Sequence, residues 1–119
     1  DKYLLDLFRQ IVGERAGWRC EMPHCWAYGE HLHPHHYFSR KNLSVKYDPM
    51  NGLWLCAAHH AFAHSQPEEF EKILLYYNAR NQAWLDELTQ RKNQIITVSP
   101  ALFRQDQKII LLEQLRKAA

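Results

Sequence analysis

Leu55-Cys56-Ala57-Ala58-His59-His60-Ala61-Phe62-Ala63-His64 places one thiol and three imidazoles on a segment that reads as a short helix from Cys56 to about His64. His60 and His64 stand four residues apart, so both project from one helix face and can hold one ion between them. His59 and His60 are neighbours, about 100° apart around a helix. Each can therefore serve a different metal.

Immediately upstream, Gly52-Leu53-Trp54-Leu55 reads as a short strand, and His31 to Phe38 reads as another. His35 from that first strand can supply a third nitrogen to the ion at His60 and His64. Three neutral imidazoles with open positions make a catalytic arrangement, since a structural site closes all four. His36 points to the opposite strand face from His35, so it suits a general base better than the same ion. An unperturbed imidazole near pKa 6.5 can take a proton from water at neutral pH. For His31 and His33 a solvated strand face is the plainer reading. Asn51-Gly52 is a favoured turn dipeptide between strands, and Asn51 could also close the loop and fix His36.

All eight His lie between His24 and His64, and all three Cys between Cys20 and Cys56. An odd Cys count argues against a disulfide framework. Cys20-Glu21-Met22-Pro23-His24-Cys25 is a tight loop between two thiols, and Cys56-Ala57-Ala58-His59 forms a second short-spaced pair. Two plus two ligands is how a structural tetrahedral Zn²⁺ site is built. Cys20, Cys25, Cys56 and His59 would close it. A variant takes His24 as fourth ligand, but leaves the second pair with Cys56 alone.

Outside this region the chain reads as helical. Leu4, Leu5, Leu7, Phe8, Ile11 and Val12 predict a helix over Lys2 to Ala16, ended by Gly17. A second begins near Pro67, with Glu68 and Glu69 complementing its dipole, and carries one apolar stripe to about Lys92. Ser99-Pro100 reads as N-cap and first position of a last helix reaching Arg116. The plainer role of these C-terminal helices is scaffold. The sharper one is a homodimer interface, or DNA contact through Arg80, Arg91, Lys92 and Arg104.

With 119 residues and 46% hydrophobic content, one domain with a real core is expected: helix 1–17, ligand-rich core 18–66, helical extension 67–119. No run of eighteen apolar residues exists, so no membrane span is expected. The first residues do not resemble a signal peptide, and the cytoplasm is the default expectation. The net charge of +2 neither advertises nor forbids a nucleic-acid partner.

Leu32-His33-Pro34-His35-His36-Tyr37, Tyr47-Asp48-Pro49-Met50-Asn51-Gly52, and Leu55-Cys56-Ala57-Ala58-His59-His60 followed by His64 together resemble the HNH endonuclease family. The Cys pairs resemble those of its zinc-bearing phage and prophage members, which commonly carry Cys where this chain has His59. The resemblance covers about Trp18 to Ser65. It implies an α+β fold: a ββα-metal core with a structural zinc knuckle, flanked here by an N-terminal helix and two C-terminal helices. It implies a DNA endonuclease in which His35, His60 and His64 bind one divalent ion, His36 deprotonates the attacking water and Asn51 holds His36 in place. The ion would stabilise charge on the phosphorane and the leaving oxygen, giving 5′-phosphate and 3′-hydroxyl ends. Arg40 is a candidate to grip the scissile phosphate. One such site nicks one strand per event. No recognition element is visible, so low sequence specificity is expected. An all-imidazole site favours Mn²⁺, Co²⁺ or Ni²⁺ over Mg²⁺. The rival from another class is a catalytically silent zinc module that binds DNA or protein. An RNA nuclease, or a toxin within a larger protein, is a further alternative.

Overall fold

Asp1 caps the first helix, its carboxylate accepting from the backbone N–H groups of Tyr3 at 2.9 Å and Leu4 at 3.3 Å. Helix α1 runs Lys2–Arg15. It ends in a Schellman motif. Gly17 adopts φ +64, its N–H donates to the Glu14 carbonyl at 3.0 Å, and that of Trp18 donates to Gly13 at 2.8 Å. Gly13 is needed for packing as well: a Cβ there would lie 2.2 Å from the Trp18 ring.

The computed structural model describes residues 1–118. After α1 come β1 (His33–His36), β2 (Gly52–Leu55), α2 (Ala57–Ser65), α3 (Pro67–Tyr76), α4 (Gln82–Lys92) and α5 (Pro100–Ala118). Among the described residues the fold is α+β, with five α-helices and a two-stranded antiparallel sheet in which His33 pairs with Leu55 and His36 with Gly52. β1 is shorter than the predicted His31–Phe38 segment. Beyond His36 the chain curves away, and two 3₁₀ turns, Leu43–Val45 and Pro49–Asn51, carry it back to β2.

Helix α1 is buried on two sides. Phe8 and Val12 pack with Leu53, Trp54, Leu55, Phe70 and Leu74 in the main core. Leu4, Leu7 and Ile11 face Phe103 and Leu111 of α5. Gly52 sits where α1 crosses the sheet, and a Cβ on it would stand 2.4 Å from Val12 and 2.8 Å from Phe8. Its backbone is extended, φ −109 and ψ 141. Close approach of α1, rather than a left-handed turn, therefore explains this glycine.

The single helix expected from Pro67 to Lys92 is two helices. Asn78 takes φ +58, and the Asn81 side chain caps α4 by accepting from Trp84 N–H at 2.8 Å. The break aims Arg80 inward, where it meets Glu21 at 2.8 Å with both side chains largely buried. Glu21 also accepts from the Trp54 backbone N–H at 2.6 Å. Arg91 likewise pairs with Asp48 at 2.9 Å and Glu87 at 3.0 Å, and Lys92 lies 4.7 Å over the Phe38 ring. Arg80 and Arg91 thus hold the loops in place. Arg104 is exposed. Among the described residues, no helix is long and apolar enough to cross a membrane.

Candidate metal centres and candidate active-site cleft

The first thiol pair lies in the loop between α1 and β1, closed by an isolated antiparallel bridge between Arg19 and Tyr28. Cys20 N–H donates to the Ala27 carbonyl at 2.9 Å, Cys25 N–H to Met22 at 3.1 Å, and His24 between them takes φ +64. This tight turn brings both sulfurs against the start of α2, where Cys56 is the N-cap. The ligand atoms of Cys20, Cys25, Cys56 and His59 all lie within 4.8 Å of one another. His59 Nδ1 stands 3.5 Å from Cys20 Sγ and 3.3 Å from Cys56 Sγ. A tetrahedral Zn²⁺, with Zn–S about 2.3 Å and Zn–N about 2.0–2.1 Å, spaces S and N ligands about 3.5 Å apart. The four residues fit a structural metal such as zinc. His24 does not join them; its ring packs edge-on against Tyr77 at 5.1 Å.

Burial pushes the Cys20 thiol up to about 12. Cys56 is also raised by its own burial, but hydrogen bonds from the His59 backbone, Cys20 and Cys25 outweigh this and hold it below the usual thiol value. A thiolate at a helix N-terminus gains from the unpaired N–H groups there.

One residue along α2, His60 faces the other way. Its Nε2 stands 3.1 Å from His64 Nε2, one helical turn on. His35 projects from β1 toward the same point, its ring 5.2 Å from His60 and 5.0 Å from His64. The ligand atoms of these three all fall within 4.8 Å. His35 is buried beneath Phe70, and its Nδ1 has no hydrogen-bond partner in the protein. A buried polar nitrogen without a partner is costly unless something from outside the chain satisfies it. Burial lowers His35 to about 3, with His60 and His64 adding to the shift. His60 is lowered as well, by burial first and then by the charges of His64 and His33. His35 and His60 can thus present lone pairs at pH 7.

His36 lines the same cleft as His35, His60 and His64, a cavity of about 750 Å³ that Arg40 also borders. It lies at the end of β1, stacked on Phe8 at 4.4 Å with the planes 13° apart. Its Nε2 contacts the Lys46 carbonyl at 2.9 Å. A carbonyl only accepts, so Nε2 carries the proton and Nδ1 the lone pair. The sequence alone suggested an ordinary pKa near 6.5; burial lowers it to about 4, and the charges of Arg40, Lys46 and His60 contribute.

The Asn51 side chain makes no hydrogen bond to His36 and is bonded instead to Phe38 and Val45. Fully buried, its amide accepts from Phe38 N–H at 2.7 Å and donates to the Phe38 carbonyl at 2.9 Å and the Val45 carbonyl at 3.3 Å. It ties the strand exit to the segment that presents the Lys46 carbonyl, and so reaches His36 at one remove.

His33 is the residue whose place the sequence reading missed. Its Nδ1 lies 2.8 Å from His60 Nδ1. The available signal was its spacing: residues i and i+2 share a strand face, so His33 accompanies His35 toward α2. His31 is exposed and stays outside the cluster.

The site defines an α+β protein with two adjacent groups of metal-competent side chains, one closed by sulfur and one open with imidazoles. No protein-family model, curated protein or solved structure matches the chain.

Proposed function

We propose that this chain is a metal-dependent HNH-type endonuclease that hydrolyses DNA phosphodiester bonds, one strand per event, with low sequence specificity. The observation that carries the reading is the convergence of His35, His60 and His64 within 4.8 Å, in the same cleft as a fourth imidazole, His36, whose proton is committed to a backbone carbonyl. A ligand set and a separate base lining one cleft is the division that metal-assisted hydrolysis needs.

His35, His60 and His64 would hold the ion, which would supply charge neutralisation at the phosphate and the leaving oxygen. His36 Nδ1 accepts the proton of the attacking water as the new P–O bond forms. The bond from phosphorus to the 3′ oxygen breaks, leaving a 5′-phosphate and a 3′-hydroxyl. Phe8 and the Lys46 carbonyl keep the imidazole from turning. Burial first, and then the charges of Arg40 and Lys46, lower the basicity of His36 in the free protein; a phosphodiester seated against Arg40 would offset that part of the shift. The Cys20, Cys25, Cys56 and His59 group takes no part in the chemistry and ties the Cys20–Cys25 loop to the start of α2.

Supercoiled plasmid incubated with the protein and a panel of divalent ions tests this directly. Conversion to the open circle with Mn²⁺, blocked by EDTA, is expected. Metal binding without any cleavage of DNA would leave the zinc-module reading in its place.

A further inference from the structure

We propose that His33 is a positioning residue for the imidazole cluster: its Nδ1 accepts the Nδ1 proton of His60 and so holds the His60 Nε2 lone pair toward His64 and His35. The inference rests on the reading of those three residues as an ion site, not on the reaction catalysed there.

The geometry leaves one consistent arrangement. Two Nδ1 atoms 2.8 Å apart must share one proton between them. A heavy-atom distance does not say which ring owns it, but ligation does. His60 Nε2 is the nitrogen that faces His64 Nε2 at 3.1 Å, within the span about 3.0–3.4 Å that two nitrogens on one ion occupy at about 2.1 Å each. A neutral imidazole that donates its Nε2 lone pair to an ion must carry its proton on Nδ1. His60 is therefore the donor and His33 the acceptor, with the His33 proton on Nε2.

The backbone makes this pairing specific. His33 opens β1 opposite Leu55, directly before the turn into α2, and shares the strand face of His35. The two rings flank His60 at centroid distances of 5.0 and 5.2 Å. His35 points to the ion side of His60 and His33 to the opposite nitrogen. Ligand histidines commonly need a hydrogen bond on the second nitrogen to fix tautomer and orientation, and its loss costs about 10- to 100-fold in metal affinity.

The test uses the full chain with its cysteine-bound zinc retained, titrated with Mn²⁺ while free Mn²⁺ is counted by electron paramagnetic resonance. His33→Leu should still take up one Mn²⁺ per chain, but about 10- to 100-fold more weakly. His33→Asn places an amide oxygen where Nδ1 stood, and should return to within about threefold of the parent. In the parent protein loaded with Zn²⁺ at both sites, nitrogen-15 spectra should show His60 as the Nδ1–H tautomer, a readout that needs no variant. Unchanged affinity in His33→Leu, or His60 protonated on Nε2, overturns the proposal alone. Loss of the ion in both variants, as in His64→Ala, would make His33 a ligand and also overturn it. A parent chain that binds no Mn²⁺ overturns this inference together with the ion-site reading beneath it.

Discussion

Asn51 and Phe38 bind each other through both halves of one amide, the Asn51 oxygen accepting from Phe38 N–H at 2.7 Å and its nitrogen donating to the Phe38 carbonyl at 2.9 Å. Asn51→Asp keeps the acceptor and removes the donor, so the Phe38 carbonyl loses its amide partner, while the Val45 carbonyl keeps the Asp48 N–H at 3.1 Å. A stability loss of about 1–3 kcal/mol is expected. The Lys46 carbonyl would no longer be held against His36, so nicking should fall while Mn²⁺ affinity stays close to the parent value. Urea unfolding and metal titration on one preparation check both halves.

Gly52→Ala should destabilise the fold by about 1–3 kcal/mol through overpacking, although its backbone suits any residue. The new Cβ would meet Val12 at 2.4 Å. Val12→Ala in the same chain should recover part of the loss. Additive effects in the double mutant would show that the two residues do not share the space.

Cys20→Ala or Cys56→Ala should abolish tight zinc retention and unfold the region around β2 and α2. A structural zinc site contributes on the order of 10–16 kcal/mol, against a domain stability of about 5–15 kcal/mol. Elemental analysis and circular dichroism decide the matter. A well-folded Cys56→Ala protein free of zinc would remove the structural role.

His36→Ala should lower cleavage by about 10²–10⁴-fold, the usual contribution of a general base, with metal affinity nearly unchanged. His60→Ala and His64→Ala should lose the ion and the activity together. Were His36→Ala to weaken Mn²⁺ binding as strongly as His60→Ala, base and ligand would have to be exchanged.

Mn²⁺, Co²⁺ or Ni²⁺ should support faster nicking than Mg²⁺ at saturating concentrations. The three imidazoles come together with no carboxylate among them; Asp6, at the rim of the cleft, is bound to Lys2 at 2.8 Å. Mg²⁺ prefers oxygen and sheds water reluctantly, whereas the later ions accept nitrogen readily. Equal rates in Mg²⁺ would mean that oxygen ligands enter from the substrate or from Asp6.

Much of the site was legible in the chain because its signals are local. The i, i+4 pair at His60 and His64, the adjacency of His59 and His60, the strand Gly52–Leu55 and the stop at Gly17 depend only on backbone periodicity and one left-handed glycine. The helix break at Asn78–Asn81 was hidden by an apolar stripe that continues across it. Only the tertiary structure separates His24 from His59, since both lie near the thiols in sequence and differ in which ring the packing turns inward. It alone shows that Arg80 is held by Glu21, 59 residues away, that Gly52 answers to Val12 and Phe8, and that His33 meets His60. Sequence spacing orders side chains along one element, but which of them touch across two elements depends on how the cores of α1, the sheet and α2 pack.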